Sequence, residues 1–572
     1  MKKKKIGVYI CHCGGNISDY VDVEKVRAAI ADEGIVLLSK TTMFACSDSN
    51  QRDMVEDIKA NDLDGVVVAS CSPKLHLQTF QNVSMRADLN KYTYVHANIR
   101  EQASWAHSDD KMGATEKAIH LVRAAIAKSR YAEALESTKV KAIKKVAVIG
   151  AGIAGLKAAL SLSEKDCDVI LIERNSVVGG HVAEFTSLST TTETGYQIIT
   201  RLYSEVLKRG NISLLTNSEV IENKGSVGNF SLKIRKITNN DNQEIIDVNV
   251  GSVLMATGFD SYTPGEGEYG YKSLENVITL VDFKKMIDSQ NGKLVYNGKQ
   301  IRDIVYIYCV GSRQSDGGNT YCSRNCCTST IHASIIARHK FSDINNYHFN
   351  RGIRTYGKQE ILYAESLGSG DIYLQFNEDS IPEISVNGDK AIVKINDILS
   401  ANREVEVEAD LVVLVGGMVP RADNSVGSLF KLPKGRDRFY NEVHMKLRPV
   451  ETAIDGITIA GACQGPKNIT ESVNSALAAA TKSYSILSKG ELETSPLIAV
   501  IEEDKCSWCG ACQEACPFDA IHMEEKEGRT IAQINNTVCK GCGMCAPVCK
   551  PDAINLIAYS SSEIMSMIDA LA

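Results

Sequence analysis

Eight cysteines toward the C-terminal end of the sequence are spaced to hold iron. The first four are Cys506, Cys509, Cys512 and Cys516, followed by Pro517; the second four are Cys539, Cys542, Cys545 and Cys549. Each run reads C-x2-C-x2-C-x3-C, the spacing of bacterial ferredoxins that carry two 4Fe–4S clusters. In that arrangement three thiolates on a tight loop hold three corners of one cube, and the fourth cysteine ligates the other cube. This assigns Cys506, Cys509, Cys512 and Cys549 to one cluster and Cys539, Cys542, Cys545 and Cys516 to the other. Zinc ribbons share the C-x2-C element, but a zinc site takes four ligands, often as two pairs; here each run sets four cysteines evenly, twice. The second run ends Cys549-Lys550-Pro551, so its proline comes one place late. Such a module moves electrons singly.

Two further groups of thiols stand outside these runs. Cys309, Cys322, Cys326 and Cys327 fall within a short stretch that also holds Arg324. The adjacent pair Cys326-Cys327 does not readily close a disulfide in ordinary geometry, and the four make an irregular cluster site, with zinc as the main alternative. Nearer the start, Cys11, Cys46 and Cys71 each end a run that reads as a strand (Ile6–Cys11, Leu37–Cys46, Gly65–Cys71), and Cys13 lies in the glycine-rich turn after the first. Strand carboxyl ends converge on the crevice of an open α/β sheet. These four thiols are therefore candidates for a further cluster or a redox-active group, with small buried filler as the alternative.

Between the thiol groups lies a complete dinucleotide fingerprint. An apolar strand, Lys145–Ile149, leads into Gly150-Ala151-Gly152-Ile153-Ala154-Gly155, then a helix, then a second strand, Asp168–Ile172, ending in Glu173 and Arg174. The glycines permit the tight turn and bring a pyrophosphate close to a helix N-terminus, and the acid takes the ribose hydroxyl. Gly179-Gly180-His181, Ala256-Thr257-Gly258 at the end of an apolar strand, and a late strand Ile457–Ala460 leading to Gly461-Ala462 and a small-residue helix from Ile469 all favour FAD. They resemble the thioredoxin-reductase-like flavoproteins. In that family the last helix aims its N-terminus at the flavin, and its dipole favours negative charge there. His181 is a candidate flavin neighbour. Cys463 reads as a small apolar filler beside the flavin, with a redox partner as the alternative, and Cys167 as buried and inert.

These sites need elements to carry them. A chain of 572 residues accommodates three or four domains. The divisions expected are an N-terminal α/β cysteine domain over 1–135, FAD-binding segments over 140–261 and 405–490, a second dinucleotide-type domain over 262–404, a ferredoxin domain over 497–558, and a tail or helix over 559–572. The fold class is thus α/β multidomain: a parallel α/β domain, a two-dinucleotide-fold flavoprotein, and an α+β double-cluster ferredoxin. In the second dinucleotide domain a strand, Ile304–Tyr308, runs into Cys309-Val310-Gly311-Ser312-Arg313 where a second glycine fingerprint would stand. A net charge of −7 argues against a nucleic-acid footprint. The basic start, Met1 to Lys5, runs into a strand rather than a secretory core, and no apolar run approaches the roughly 20 residues of a membrane helix. Eighteen cysteines without an export signal point to a reducing cytosol.

A Cys-x-Cys-Gly-Gly-Asn block at the start, an FAD domain, the Cys309–Cys322–Cys326-Cys327 motif and a terminal double ferredoxin together resemble the A-type component of heterodisulfide reductases over nearly the whole chain. The resemblance implies a homodimeric core subunit with FAD as the site of electron bifurcation and a 4Fe–4S cluster on the four central cysteines. It also implies ferredoxin as a partner, together with other components of that complex, one of which donates electrons. Many members carry an inserted ferredoxin domain; no cysteine lies between Cys167 and Cys309, so this is a short form. The family commonly has cysteine where Ala103 stands, which weakens the case for an N-terminal cluster. Outside the FAD site no residue is a credible nucleophile or general acid. Two other readings share the inventory: a conduit without bifurcation, and an NAD(P)H-dependent flavoprotein like the small subunit of glutamate synthase. The missing second glycine fingerprint argues against the latter.

Overall fold

Apolar runs that only a parallel sheet can bury on both faces recur three times in this chain, and each time they found a sheet. The structure is a computed structural model that describes residues 4–185, 187–189, 191, 193–238, 242–315 and 318–571. Residues 1–3 of the basic start lie outside it. The chain divides into two compact units, Met1–Lys139 with Glu493–Ala572, and Val140–Leu492.

In the first unit the strands Val36–Thr42, Ile6–Cys11, Gly65–Ser70 and Tyr94–Asn98 lie side by side in that order, all parallel. Ile6–Cys11 and Gly65–Ser70 are buried along their whole length. Helices Val23–Ala31, Asp48–Ala60, Pro73–Arg86 and Lys111–Ser129 alternate with the strands. Asp22, Ser47, Ser72 and Asp110 cap them, each side chain accepting from a backbone N–H of the first turn. The second strand stops at Thr42, short of the expected Cys46. Met43 and Phe44 turn outward at 55% and 47% exposure, and Ser47 already caps the next helix. Cys46 therefore sits in a turn, not on a strand.

The C-terminal part of this unit pairs Ala499–Ile501 with Ile554–Leu556 and Ile521–Lys526 with Arg529–Ile534, both antiparallel. The helix Ser561–Leu571 follows and packs against Lys111–Ser129, and the Lys128 ammonium lies 3.5 Å over the Tyr559 ring.

The second unit holds two dinucleotide-type sheets. The first runs Ile457–Ile459, Ser252–Met255, Lys145–Ile149, Asp168–Ile172, Ile212–Leu215, all parallel. The second runs Val277–Thr279, Leu411–Gly416, Asp303–Val310, Asn345–Asn350, Ile372–Gln375, also parallel. An antiparallel three-stranded sheet accompanies each. Leu411–Gly416 corrects the division placed at residue 404. Its residues Leu411 to Val415 are fully buried, so the strand needs a neighbour on both sides and completes the second sheet, not the flavin domain. No helix among the described residues is long and apolar enough to cross a membrane.

Candidate functional site

The glycine fingerprint forms the floor of a cavity of about 610 Å³. Gly150 turns the chain with φ +103°, a conformation that favours glycine. A Cβ on Gly155 would stand 1.8 Å from the Gly150 carbonyl oxygen, so the helix Ile153–Ser163 sits on the turn only because that atom is missing. Gly152 has a different task. A Cβ there meets nothing within 4 Å and would project into open space, where a bound group has to come close.

Of the residues expected at the flavin, Gly150, Gly152, Glu173, Arg174, Gly180, His181, Ala256, Thr257, Gly258, Ala462 and Ile469 line this cavity. Gly155 and Gly461 do not; both pack beneath it. A Cβ on Gly461 would lie 2.9 Å from Ala154 Cβ. The buried Glu173 carboxylate accepts from the backbone N–H of Ala151 at 2.8 Å and of Asn175 at 3.0 Å, which fixes it at the cavity edge with lone pairs to spare. His181 Nε2 lies 3.0 Å from the Phe259 carbonyl oxygen, with its ring 4.6 Å from the Phe259 ring.

Several wall residues escape sequence reasoning. Arg421 donates to the Thr257 carbonyl at 3.2 Å and faces Asp260, across a gap in sequence that no local pattern spans. Lys467 and Asn468 precede the helix Ile469–Leu487. Asn468 and Glu471 close a capping box at its N-terminus, at 2.8 and 3.0 Å. Burial pulls the Lys467 ammonium below its ordinary pKa, against the nearby carboxylates of Glu442 and Glu471. Cys463 is buried off the cavity. Its thiol lies 3.1 Å from the Ala460 carbonyl, and burial raises its pKa. Cys167 belongs to the core of the flavin domain, and burial raises its thiol too.

The central cysteines gather at the end of the second sheet. Cys309, at φ +62°, lies at the end of the strand Asp303–Val310, and Cys326 and Cys327 open the helix Cys326–Lys340. Each of Cys309, Cys322 and Cys326 lies within electrostatic range of others in the set. The Cys327 thiol is lowered to about 7, first by the hydrogen bond from Cys326 and then by the Arg354 N–H and the Arg313 charge. Cys326, the donor of that pair, is held high. Burial raises Cys309, while Arg313 and Arg351 pull it back. The Arg324 N–H donates to Cys322 Sγ at 3.3 Å, and the Arg324 side chain reaches Glu471 at 2.5 Å. A second cavity, of about 360 Å³, is lined by Cys326 and Ser323 and shares His181, Phe185, Phe259 and Asn325 with the first. Of the central thiols, Cys326 thus faces a cavity that shares a wall with the dinucleotide cavity.

In the C-terminal module a small cavity is lined by Cys506, Cys509, Cys512 and Cys549. Cys545 in turn lies within electrostatic range of Cys539, Cys542 and Cys516. The fourth cysteine of each run therefore faces the triplet of the other. Backbone N–H groups of Ala532, Ala553, Ala520 and Ala499 point at Cys506, Cys549, Cys516 and Cys539 at 3.2–3.5 Å, the kind of N–H···S bond that tunes cluster potential. Pro551 lines the small cavity at Cys506, so the late proline still packs at a cluster loop.

The N-terminal thiols lie around the first strand. Cys11 Sγ accepts from the N–H of Cys13 at 3.2 Å and of Ala45 at 3.4 Å, and burial raises its pKa to about 11. Arg100 Nη1 is 3.5 Å from Cys13 Sγ, is paired with Glu101 at 2.8 Å and stacks 4.5 Å over Trp105. Cys71 feels Arg100, Cys13 and Cys46. Ala103 is fully buried in the Arg100–Ser104 turn. None of the eighteen cysteines, all of them among the described residues, is in a disulfide. Among the described residues no three His, Cys, Asp or Glu side chains close on a single ion.

Residues 144–294 match the pyridine nucleotide-disulphide oxidoreductase family and residues 505–553 the 4Fe-4S dicluster domain. The chain is 34% identical to the second A-type iron-sulfur component of the CoB–CoM heterodisulfide reductase of Methanopyrus kandleri, over 93% of each chain. It is 34% identical to the A-type component of the H(2):CoB-CoM heterodisulfide,ferredoxin reductase of Methanothermobacter thermautotrophicus, over 92% of this chain and 91% of that one. Among solved structures, the thioredoxin reductase of T. acidophilum aligns at 18% identity over 60% of this chain and 98% of its own, with a TM-score of 0.42.

Proposed function

The chain belongs to the family of A-type heterodisulfide reductase components, and from that premise we propose that this FAD- and iron–sulfur-containing oxidoreductase subunit divides electron pairs between a disulfide-reducing partner and ferredoxin. Bound FAD exchanges electrons in pairs, and each 4Fe–4S cluster takes them singly. The observation that carries this reading is the shared wall between the dinucleotide cavity and the cavity at Cys326. Splitting a pair takes two single-electron acceptors: the central thiols beside the dinucleotide cavity offer one and the terminal cysteine runs the other.

The protein's own residues supply position and charge. The helix N-termini at Ile153 and Ile469 present N–H groups and positive dipole ends to the cavity. Glu173 accepts a ribose hydroxyl. Arg324 anchors the Cys322–Cys326 segment to Glu471 on the second of these helices, and Tyr356 donates to the same carboxylate at 3.0 Å. That latch ties the segment of the central thiols to the helix whose N-terminus lines the cavity. We assign a 4Fe–4S cluster to Cys309, Cys322, Cys326 and Cys327 and two more to the terminal runs, and we place the chain in the cytosol as a homodimeric core of a larger complex. The second dinucleotide fold ends in thiols where a nucleotide phosphate would sit, so electrons enter through clusters.

Mixing the anaerobic holoprotein with reduced ferredoxin tests this. The flavin absorbance should bleach. A flavin that stays oxidised with every cluster in place would sink the proposal.

A further inference from the structure

Behind the central cysteines the second sheet holds a polar chain that the proposed electron path does not use. Tyr308 precedes Cys309 on its strand, is fully buried, and lies within electrostatic range of Cys326 and Cys327. Its hydroxyl is 2.8 Å from His348 Nδ1 on the neighbouring strand. His348 Nε2 lies 3.4 Å from Asp371 Oδ2. That same oxygen accepts from Ser366 Oγ at 2.6 Å, and Ser366 Oγ is 2.7 Å from the hydroxyl of the half-buried Tyr373. Arg338, a quarter exposed, donates to the other Asp371 oxygen at 2.5 and 3.0 Å, and Asn346 donates to it at 2.9 Å. Five groups, carried by three neighbouring strands, the turn that enters the last of them and one helix, thus run hydrogen bond to hydrogen bond from near the surface to the residue before a cluster cysteine.

We propose that Tyr373, Ser366, Asp371, His348 and Tyr308 form a proton relay to the central site, so that an electron arriving on a cluster there is balanced by a proton taken up on His348. The inference rests on the assignment of a cluster to the central cysteines. In the balanced step one electron from ferredoxin or flavin would be held on the central thiols' cluster while a water proton enters at Tyr373. Tyr373 passes its own proton to Ser366, Ser366 passes its own to Asp371, and Asp371 hands one to His348 Nε2. A ring whose Nδ1–H faces the Tyr308 oxygen thereby becomes imidazolium; oxidation reverses both transfers.

The surroundings of His348 suit the task. Its ring stacks between Tyr306 and Tyr373, with centroids 4.9 and 4.4 Å away, and meets Tyr308 from the side. The charged groups that face it are the Asp371 carboxylate and, behind it, Arg338. Burial keeps the ring neutral while Asp371 and Arg338 balance each other. One more negative charge at the adjacent cluster favours the protonated ring. A polar network that merely glued strands together would not need a titratable ring between a carboxylate and a tyrosine that leads to the cluster.

The test is an EPR-monitored potentiometric titration of the central cluster in the full-length holoprotein, across the pH range ~5 to ~8 in which histidine titrates. The wild-type midpoint should fall as pH rises, approaching a tenfold change in equilibrium constant per pH unit, about 59 mV for one electron. His348→Gln should flatten that dependence while keeping the EPR signal. Ser366→Ala, which cuts the relay at its entrance, should leave the equilibrium dependence intact but slow cluster reduction and raise its solvent isotope effect. The Ser366→Ala pair of readings stands on its own if His348→Gln does not fold. A wild-type midpoint independent of pH, or an unchanged dependence in a folded His348→Gln, overturns the relay and leaves the cluster assignment standing. Absence of any central-cluster signal in the wild type overturns both.

Discussion

Gly152 and Gly155 belong to one fingerprint, yet the structure gives them opposite failures. A side chain at Gly152 meets only the open cavity, whereas one at Gly155 strikes the Gly150 carbonyl at 1.8 Å. Gly152→Val should therefore fold with normal thermal stability and lose FAD, and Gly155→Ala should lower stability first. Thermal melts beside flavin absorbance after cluster removal separate the two; stoichiometric FAD in Gly152→Val would refute the cavity assignment. The ferredoxin thiols make a second prediction at this scale. Cys512 lines the cavity with Cys506, Cys509 and Cys549, while Cys516 faces the other triplet. Cys512→Ala should lose only the first cube, leave the second and the flavin, and sharply slow exchange with ferredoxin; loss of both EPR signals together would contradict the crossed ligation. These residues were legible in the sequence because their chemistry is set by short spacings. Arg421 was not, since its contact with Thr257 joins residues brought together only by the fold.

Among the elements, the strand Asp303–Val310 and the helix Cys326–Lys340 carry three of the central thiols. In a nucleotide-binding fold the turn between them would present glycine N–H groups to a phosphate; here it presents Cys309, Cys322, Cys326 and Cys327. Neither NADH nor NADPH should bleach the flavin of the anaerobic holoprotein at a useful rate. Rapid bleaching would favour a nucleotide-dependent flavoprotein instead. The strand next to it, Asn345–Asn350, contributes His348 to a buried network around the Asp371–Arg338 ion pair. Removing the carboxylate leaves the guanidinium without its partner, so Asp371→Ala should cost about 3–5 kcal/mol in chemical denaturation; a loss under ~1 kcal/mol, the usual size for exposed pairs, would show that the pair is solvated. The sequence showed the strand and the substitution of thiols for glycines. It did not show the His348 network, whose partners come from separate strands and helices, nor that Leu411–Gly416 belongs to this sheet. That strand reads as a generic apolar run, and only its place between Val277–Thr279 and Asp303–Val310 assigns it.

At the scale of the whole molecule, iron counts the proposed redox sites. The terminal pair and the central site together call for about twelve irons per chain, and about sixteen would mean that Cys11, Cys13, Cys46 and Cys71 hold a further cube. The shortened second strand, the turn position of Cys46 and the buried Ala103 favour the lower number. The N-terminal domain and the terminal cluster module fall in one compact unit, which their separation in sequence gave no reason to expect, so cofactors are best counted on the intact chain. The most direct test of the account uses the complex that co-purifies anaerobically with this chain. Supplied with its electron donor, it should reduce ferredoxin only while a disulfide acceptor is present and being reduced, with equal numbers of electrons going each way. Ferredoxin reduced at the same rate with the disulfide left out would contradict the division of electron pairs.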